Sequence, residues 1–542
     1  MARDPGQERR KRLTLLAAIL GAGIVLLDST VVNVALPAIR ADFDAGLASQ
    51  QWVVEAYLLT LGSLLLVGGS LGDLLGRRRV FAVGLAGFGA ASLLCAIAPT
   101  VELLIVARAL QGVAGALLVP SSLALIEVTF PPDERGRAIG TWTAFGGIAT
   151  VVGPLGGGVL IELADWRWVF ALNVPVVVVT LVVLRGLAAD APRPEGARVD
   201  VTGAVLCALG LAGPVFALIQ QPTHGWGDPQ VALPLAAGVL LLGAFLVHER
   251  RTRDPMLPLG LFARGNFAVG NASTLTMYAG FGVALFFIVL FLQQVAGFGA
   301  IEAGLSLLPI TVLMFLLSRR FGALADRLGP RLFMGAGPVL AGTGLAMLSL
   351  LDDDVNYLTD VLPGLAVFGL GLSMTVAPLT ATVLASVEER HAGVASGVNN
   401  AIARVAGLLA IAAVGAVVAA QFASSLDGAL AGQPLDPAAR RAADDARARP
   451  LAALPEEVRS AGRPRLEEAV TDASVSAFRV GMLVSGGLVV AGGLLSAVGI
   501  RNPRRRVEAE RCQGGAFYGH SREAAPGGPL GDAVAAPAAS RS

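Results

Sequence analysis

Residues 68–79 read GGSLGDLLGRRR, and residues 321–331 read FGALADRLGPR. Aligning Asp73 with Asp326 also pairs Gly69 with Gly322, Leu71 with Leu324, Gly76 with Gly329 and Arg327 with Leu74. One such stretch reads as a tight glycine turn followed by ordinary arginines. Two copies, each joining a pair of apolar blocks at matching places along the chain, read as a duplicated bundle of helices.

Working outward from these turns, the apolar residues come in blocks of roughly 18–25, enough to cross about 30 Å of hydrocarbon. Of the 542 residues 54% are hydrophobic and 15% charged, where soluble domains carry about 25% charge. The 67 glycines suit closely packed membrane helices. Fourteen spans are expected, near 13–37, 50–71, 80–98, 102–126, 138–160, 167–187, 200–219, 230–247, 267–292, 302–318, 332–350, 361–384, 397–420 and 477–500. With the N-terminus inside, alternate loops carry arginines (Arg77, Arg78, Arg79, Arg135, Arg250, Arg251, Arg319, Arg331, Arg390) and the opposite loops carry acids (Asp42, Asp44, Glu102, Asp228, Asp352). This is the positive-inside pattern, broken among the short loops only by Arg40 and Arg167, the long loop 421–475 being exempt, and it places both termini in the cytoplasm.

The expected organisation is an all-α integral membrane protein. A cytoplasmic N-terminus covers 1–12, a six-helix bundle 13–187, and an inserted pair of helices with flanking loops 188–264. A second six-helix bundle covers 265–500 and includes a long outer loop, 421–475, with a short amphipathic helix in its later part. A polar, disordered cytoplasmic tail fills 501–542. The run from Leu13 to Leu36 is too long for a signal-peptide core, so it reads as a retained first span.

Composition also excludes chemistry. The sole lysine, Lys11, lies in no glycine-rich loop, so there is no nucleotide-binding P-loop and no cofactor lysine. Cys95, Cys207 and Cys512 form no exported pair, and His224, His248, His391 and His520 lack metal-ligand spacing. No metal, cofactor or nucleic-acid partner is expected.

The pattern G-x-L-x-D-x-x-G-x-R in both turns resembles the signature loop of the major facilitator superfamily. LDSTVVNVALP (27–37), QWVVEAYLL, RALQGVAGA (108–116), GPLGGG (153–158) and WRWVFALNVP (166–175) are similar, as a set, to the fourteen-helix drug:proton antiporters of the EmrB/QacA type. The likeness covers about 13–500, with departures at Leu74 and Ala149. It implies a major facilitator fold of two six-helix bundles plus two inserted helices. It also implies that GPLGGG (Gly153, Pro154, Gly157, Gly158) packs against the opposite bundle and seals the cavity. The turn residues Gly69, Asp73, Gly76, Arg77, Asp326 and Arg327 are implied to act in conformational gating, Asp73 against the start of the thirteenth span.

Three ionisable residues lie at membrane depth near one end of the first bundle: Asp28, Glu55 and Arg108. Such charges cost roughly 2.5–3.5 kcal/mol even on insertion scales, so they mark function or a static pair. Asp28 with Arg108 reads as a proton-coupling site, the acid titrating as the arginine approaches or leaves. Glu55 reads either as a selector for cationic substrates or as a solvated end-of-helix residue. Arg108, Gln111, Gly112 and Gly115 share one helical face. Asn33, Gln111, Asn399, Asn400 and Arg404 are polar at membrane depth and either line the substrate path or staple helices. The expected function is proton-coupled export of lipophilic cationic or neutral small molecules. The rivals are a dedicated exporter of one metabolite, an importer, a polytopic enzyme, which lacks clustered catalytic groups, and a sensor, which lacks an output domain.

Overall fold

In a computed structural model of the chain, the described residues are 5–186, 200–253, 255–388, 392–431, 436–447, 450–451 and 464–502. The tail beyond 502, the linker 187–199 and much of 432–463 lie outside them, so the expected disordered tail is not described. All elements below belong to one compact unit, Met1–Arg501.

The described residues are almost entirely helical. The helices are α1 (Pro5–Phe43), α2 (Leu47–Leu75), α3 (Arg77–Ala96), α4 (Val101–Thr129), α5 (Pro132–Leu163), α6 (Arg167–Ala171), α7 (Asn173–Arg185), α8 (Val201–His224) and α9 (Pro229–Arg251). There follow α10 (Gly265–Gln294), α11 (Ala300–Ser306), α12 (Leu308–Leu328), α13 (Pro330–Leu348), α14 (Leu362–Ala385), α15 (Ala392–Leu430), α16 (Pro437–Arg447) and α17 (Pro464–Gly499). Side chains cap several starts: Thr100 accepts from Leu103 N–H at 3.3 Å, Asp200 from Gly203 at 2.8 Å and Asp228 from Gln230 at 2.7 Å.

Both repeated turns take the same shape. α2 ends on Gly76 with φ +100° and α12 on Gly329 with φ +92°, a backbone region open to glycine and strained for other residues. That shared geometry explains why the two glycines align.

Every expected span coincides with a helix, α6–α7 and α11–α12 each being one span broken by a turn. Among the described residues twelve are long and apolar enough to cross a membrane. α2 and α5 fall outside that twelve, and α5's apolar stretch is Val152–Leu163. The long loop is corrected. α15 runs on to Leu430, so its 39 residues extend about 58 Å, well beyond a hydrocarbon core. α17 starts at Pro464. An amphipathic helix, α16, lies in the earlier part of the segment and buries Ala439, Ala442, Ala443 and Ala446 beside Leu430, Leu466 and Val470, while residues 452–463, in the later part where one was expected, lie outside the described residues.

α1–α7 pack chiefly on one another, as do α10–α17. α8 touches α2 and α15, while α9 packs on α8. The two groups meet between α2 and α15 and again where α1, α5 and α10 end. Gln293 donates to the Val34 carbonyl at 3.1 Å, Arg40 to Gln294 Oε1 at 2.6 Å, and Ile301 N–H to Glu162 Oε1 at 2.8 Å. The two arginines that break the charge pattern are held here: Arg40 by Gln294, and Arg167 by Asp42 at 2.8 Å.

Candidate transport site

Asp28 stands in the middle of α1 and is fully buried. Its Oδ2 accepts from Arg108 Nη1 of α4 at 2.5 Å. Its Oδ1 accepts from Gln111 Nε2 at 2.9 Å and from Asn173 Nδ2 of α7 at 3.0 Å. Both amides also donate to Ser92 Oγ of α3, at 2.9 Å and 3.3 Å. Arg108 donates further to Gln111 Oε1 at 2.6 Å and through Nε to the Val53 carbonyl of α2 at 3.0 Å. Its guanidinium lies 4.2 Å from the Tyr57 ring centroid and 5.6 Å from that of Phe170, a cation–π sandwich. Helices α1, α2, α3, α4 and α7 thus close one polar cluster around a single ion pair.

The helical face carrying Arg108 and Gln111 permits this closeness. A Cβ on Gly112 would stand 2.4 Å from the Tyr57 carbonyl oxygen and 2.1 Å from Thr60 Oγ1, so only glycine lets α4 reach α2. The expectation that Gln111 lines the substrate path is corrected: it is fully buried inside the cluster. Asn173 and Ser92 were not foreseen. The only hint was an amide inside the apolar run WRWVFALNVP. Asn173→Ala removes a donor from a buried carboxylate and should lower stability by about 1–3 kcal/mol. Thermal unfolding in detergent, followed with a thiol-reactive dye, reads this; an unchanged melting curve would make the donor dispensable.

Glu55 is corrected too. It is fully buried, which removes the solvated end-of-helix reading. One turn earlier on α2, Gln51 donates to the Ile411 carbonyl of α15 at 3.1 Å, so this face of α2 looks onto α15. Both carboxyl oxygens of Glu55 are buried without a hydrogen-bond partner among the described residues. Asn33 Oδ1 is likewise buried and unpartnered.

The remaining candidates scatter. Asn399 staples α15 to α10, donating to Asn271 Oδ1 at 3.1 Å and Thr274 Oγ1 at 2.7 Å. Asn400 is exposed, and Arg404 is half-buried. In the turns, Arg77 donates to the Ala124 carbonyl at 3.2 Å, Gly69 packs near Pro120, and Asp326 and Arg327 are exposed. The Asp73 side chain lies outside the described residues.

α5 makes one seam between the two groups, against α11. A Cβ on Gly158 would meet the Ala300 carbonyl oxygen at 2.7 Å and Ile301 Cα at 2.8 Å. From the other side, a Cβ on Gly304 of α11 would meet the Pro154 carbonyl oxygen at 2.6 Å. Gly157, expected in this seam, instead faces Val31 of α1, and Gly153 faces Leu27 and Thr30 of α1. Within GPLGGG the cross-group contact therefore belongs to Gly158, with the Pro154 carbonyl oxygen facing Gly304.

The sequence signature of the Major Facilitator Superfamily matches residues 18–411. The chain belongs to the major facilitator superfamily. It is therefore a multi-pass membrane protein of a transporter family. This major facilitator chain is 39% identical over 415 residues to a puromycin resistance protein of Streptomyces alboniger, covering 75% of this chain and 82% of that one. It is 36% identical over 409 residues to a tetracenomycin C resistance and export protein of Streptomyces glaucescens, covering 75% and 76%. Its fold is similar to an inward-facing bacterial homologue of the lysosomal transporter Spinster, with TM-score 0.63 at 15% identity over 92% of this chain and 98% of that one. A D-xylose–proton symporter gives TM-score 0.60 at 12% identity over 91% and 98%. The two relatives described are a resistance protein and a resistance and export protein.

Proposed function

We propose that the protein is a proton-driven exporter of lipophilic small molecules, an antibiotic or multidrug efflux antiporter of the cytoplasmic membrane. Both termini are inside, and the fourteen spans form two bundles, within α1–α7 and α10–α17, with α8–α9 inserted. In that orientation the seam at Gly158 and Gly304 is the outer gate, closed here.

The observation that carries the proton part is Glu55. An ionised carboxylate stripped of water and of partners costs several kcal/mol. Glu55 is therefore held as the neutral acid in this conformation, while both oxygens of Asp28 are occupied by the donors of Arg108, Gln111 and Asn173. The two acids divide the work: one carries the proton while the other is locked to Arg108. When the gate moves, water and substrate reach this layer and the proton is released inward. A potential of about 100 mV supplies roughly 2.3 kcal/mol per proton, about fifty-fold in concentration.

The test is an everted-vesicle assay that follows the pH gradient while dyes and antibiotics are added. Substrates should discharge the gradient in wild-type vesicles. Glu55→Gln keeps size and removes the titrating proton, so substrate-induced proton movement should fall at least tenfold with binding retained. Normal proton movement in that variant would refute the assignment. A second reading, export of one dedicated metabolite, is supported by the tetracenomycin C relative and would appear as discharge by one compound of the panel.

A further inference from the structure

Arg404 is a charge that the bundle leaves open. It lies about 18 Å along α15 from Ala392, deep in the span and away from the headgroup region. It has no hydrogen-bond or ion-pair partner among the described residues. Its direction follows from its neighbours on the helix. Ala401, Val405 and Leu408 pack toward α2, where a Cβ on Gly62 would stand 3.3 Å from Arg404 Cβ and 3.8 Å from Val405 Cγ2. Asn399 and Gly407 face α10, through Asn271 and the Tyr278 carbonyl. At about 100° per residue, Arg404 and Asn400 project into the angle between α2 and α10, which is the junction of the two bundles. The half-buried Tyr278 stands on the α10 side of this angle, its carbonyl oxygen 3.9 Å from where a Cβ on Gly407 would lie.

The charges of this layer do not balance. Asp28 is consumed by Arg108, and Glu55 is neutral on the reading above. Arg404 therefore adds a net positive charge at the junction, and a lone arginine at this depth needs a counter-charge or water. We propose that Arg404 anchors an anionic group of the transported molecule, a carboxylate or an acidic phenolate, with Tyr278 beside the rest of an aromatic ligand. A guanidinium fork suits a planar anion by paired hydrogen bonds. This names a substrate class for the exporter reading and rests on it. It also replaces the cationic preference expected from Glu55, since a neutral acid attracts no cation.

The test is equilibrium binding in detergent, with no gradient, so failure of proton coupling cannot disguise the result. The probes are 7-(diethylamino)coumarin-3-carboxylate and its 3-carboxamide, alike in size and different in charge. Wild type should bind the carboxylate at least tenfold more tightly. Arg404→Gln should erase that preference to within twofold and leave carboxamide affinity unchanged. Arg404→Lys, which keeps the charge without the fork, should retain part of it. Equal binding of the two probes by wild type, or binding of neither, overturns the proposal. So does an intact preference in Arg404→Gln, or equal loss of both probes. Preference in wild type without substrate-induced proton release in vesicles would sink only the antiport reading.

Discussion

Asp28→Asn should destabilise the protein by about 3–5 kcal/mol and abolish transport, because it leaves Arg108 buried without its counter-charge. Arg108→Gln should do the same, stranding the carboxylate. The double variant Asp28→Asn/Arg108→Gln removes both charges at once and should be more stable than either single variant. Its transport should stay below a hundredth of wild type, since the ion pair that gathers α1, α2, α3, α4 and α7 is gone. A double-mutant cycle on unfolding in detergent measures the coupling. If the single effects simply add, the pair is not energetically linked and the cluster is scaffolding. If the double variant exports normally, Asp28 and Arg108 leave the mechanism altogether.

Gly158→Leu is the second large effect. Its Cβ alone would overlap backbone atoms of Ala300 and Ile301, which cannot swing aside as a side chain can. The outer gate should fail to close, export should fall at least fifty-fold at normal membrane abundance, and a cysteine at Glu162 should label faster. Gly156→Leu is the control, because a Cβ at Gly156 meets nothing within 4 Å. Gly157→Leu strikes Val31 inside the same bundle, so it should cost stability without opening the seam. Equal export loss in Gly156→Leu and Gly158→Leu would mean that the helix, not the seam, is what matters.

The fold was legible in the sequence because its constraints are local. Gly76 and Gly329 must sit where φ is positive, so the repeat survives in the letters. The ion pair was legible because charges are conspicuous in apolar blocks. Asn173 and Ser92 were not, since small uncharged polar residues are ordinary in membrane helices, and only tertiary packing brings them to Asp28. Glu55 was placed near a helix end, yet the facing helix α15 covers it. Which glycine of GPLGGG faces the other bundle depends on the rotation of α5 about its axis. Gly156, Gly157 and Gly158 all lack side chains, so the letters cannot phase it. The extent of α15 and α17 was missed because their outer ends are too polar to read as span.

The complete enclosure of both acids bears on the economy of an idle cell. Asp28 and Glu55 have no exposed surface, so in this conformation no chain of water molecules links either of them to both sides of the membrane. Proton current then requires the helices themselves to move, at microsecond-to-millisecond rates rather than the speed of hopping along water. A transporter of this construction can stay in the membrane when there is nothing to expel without short-circuiting the gradient that drives it.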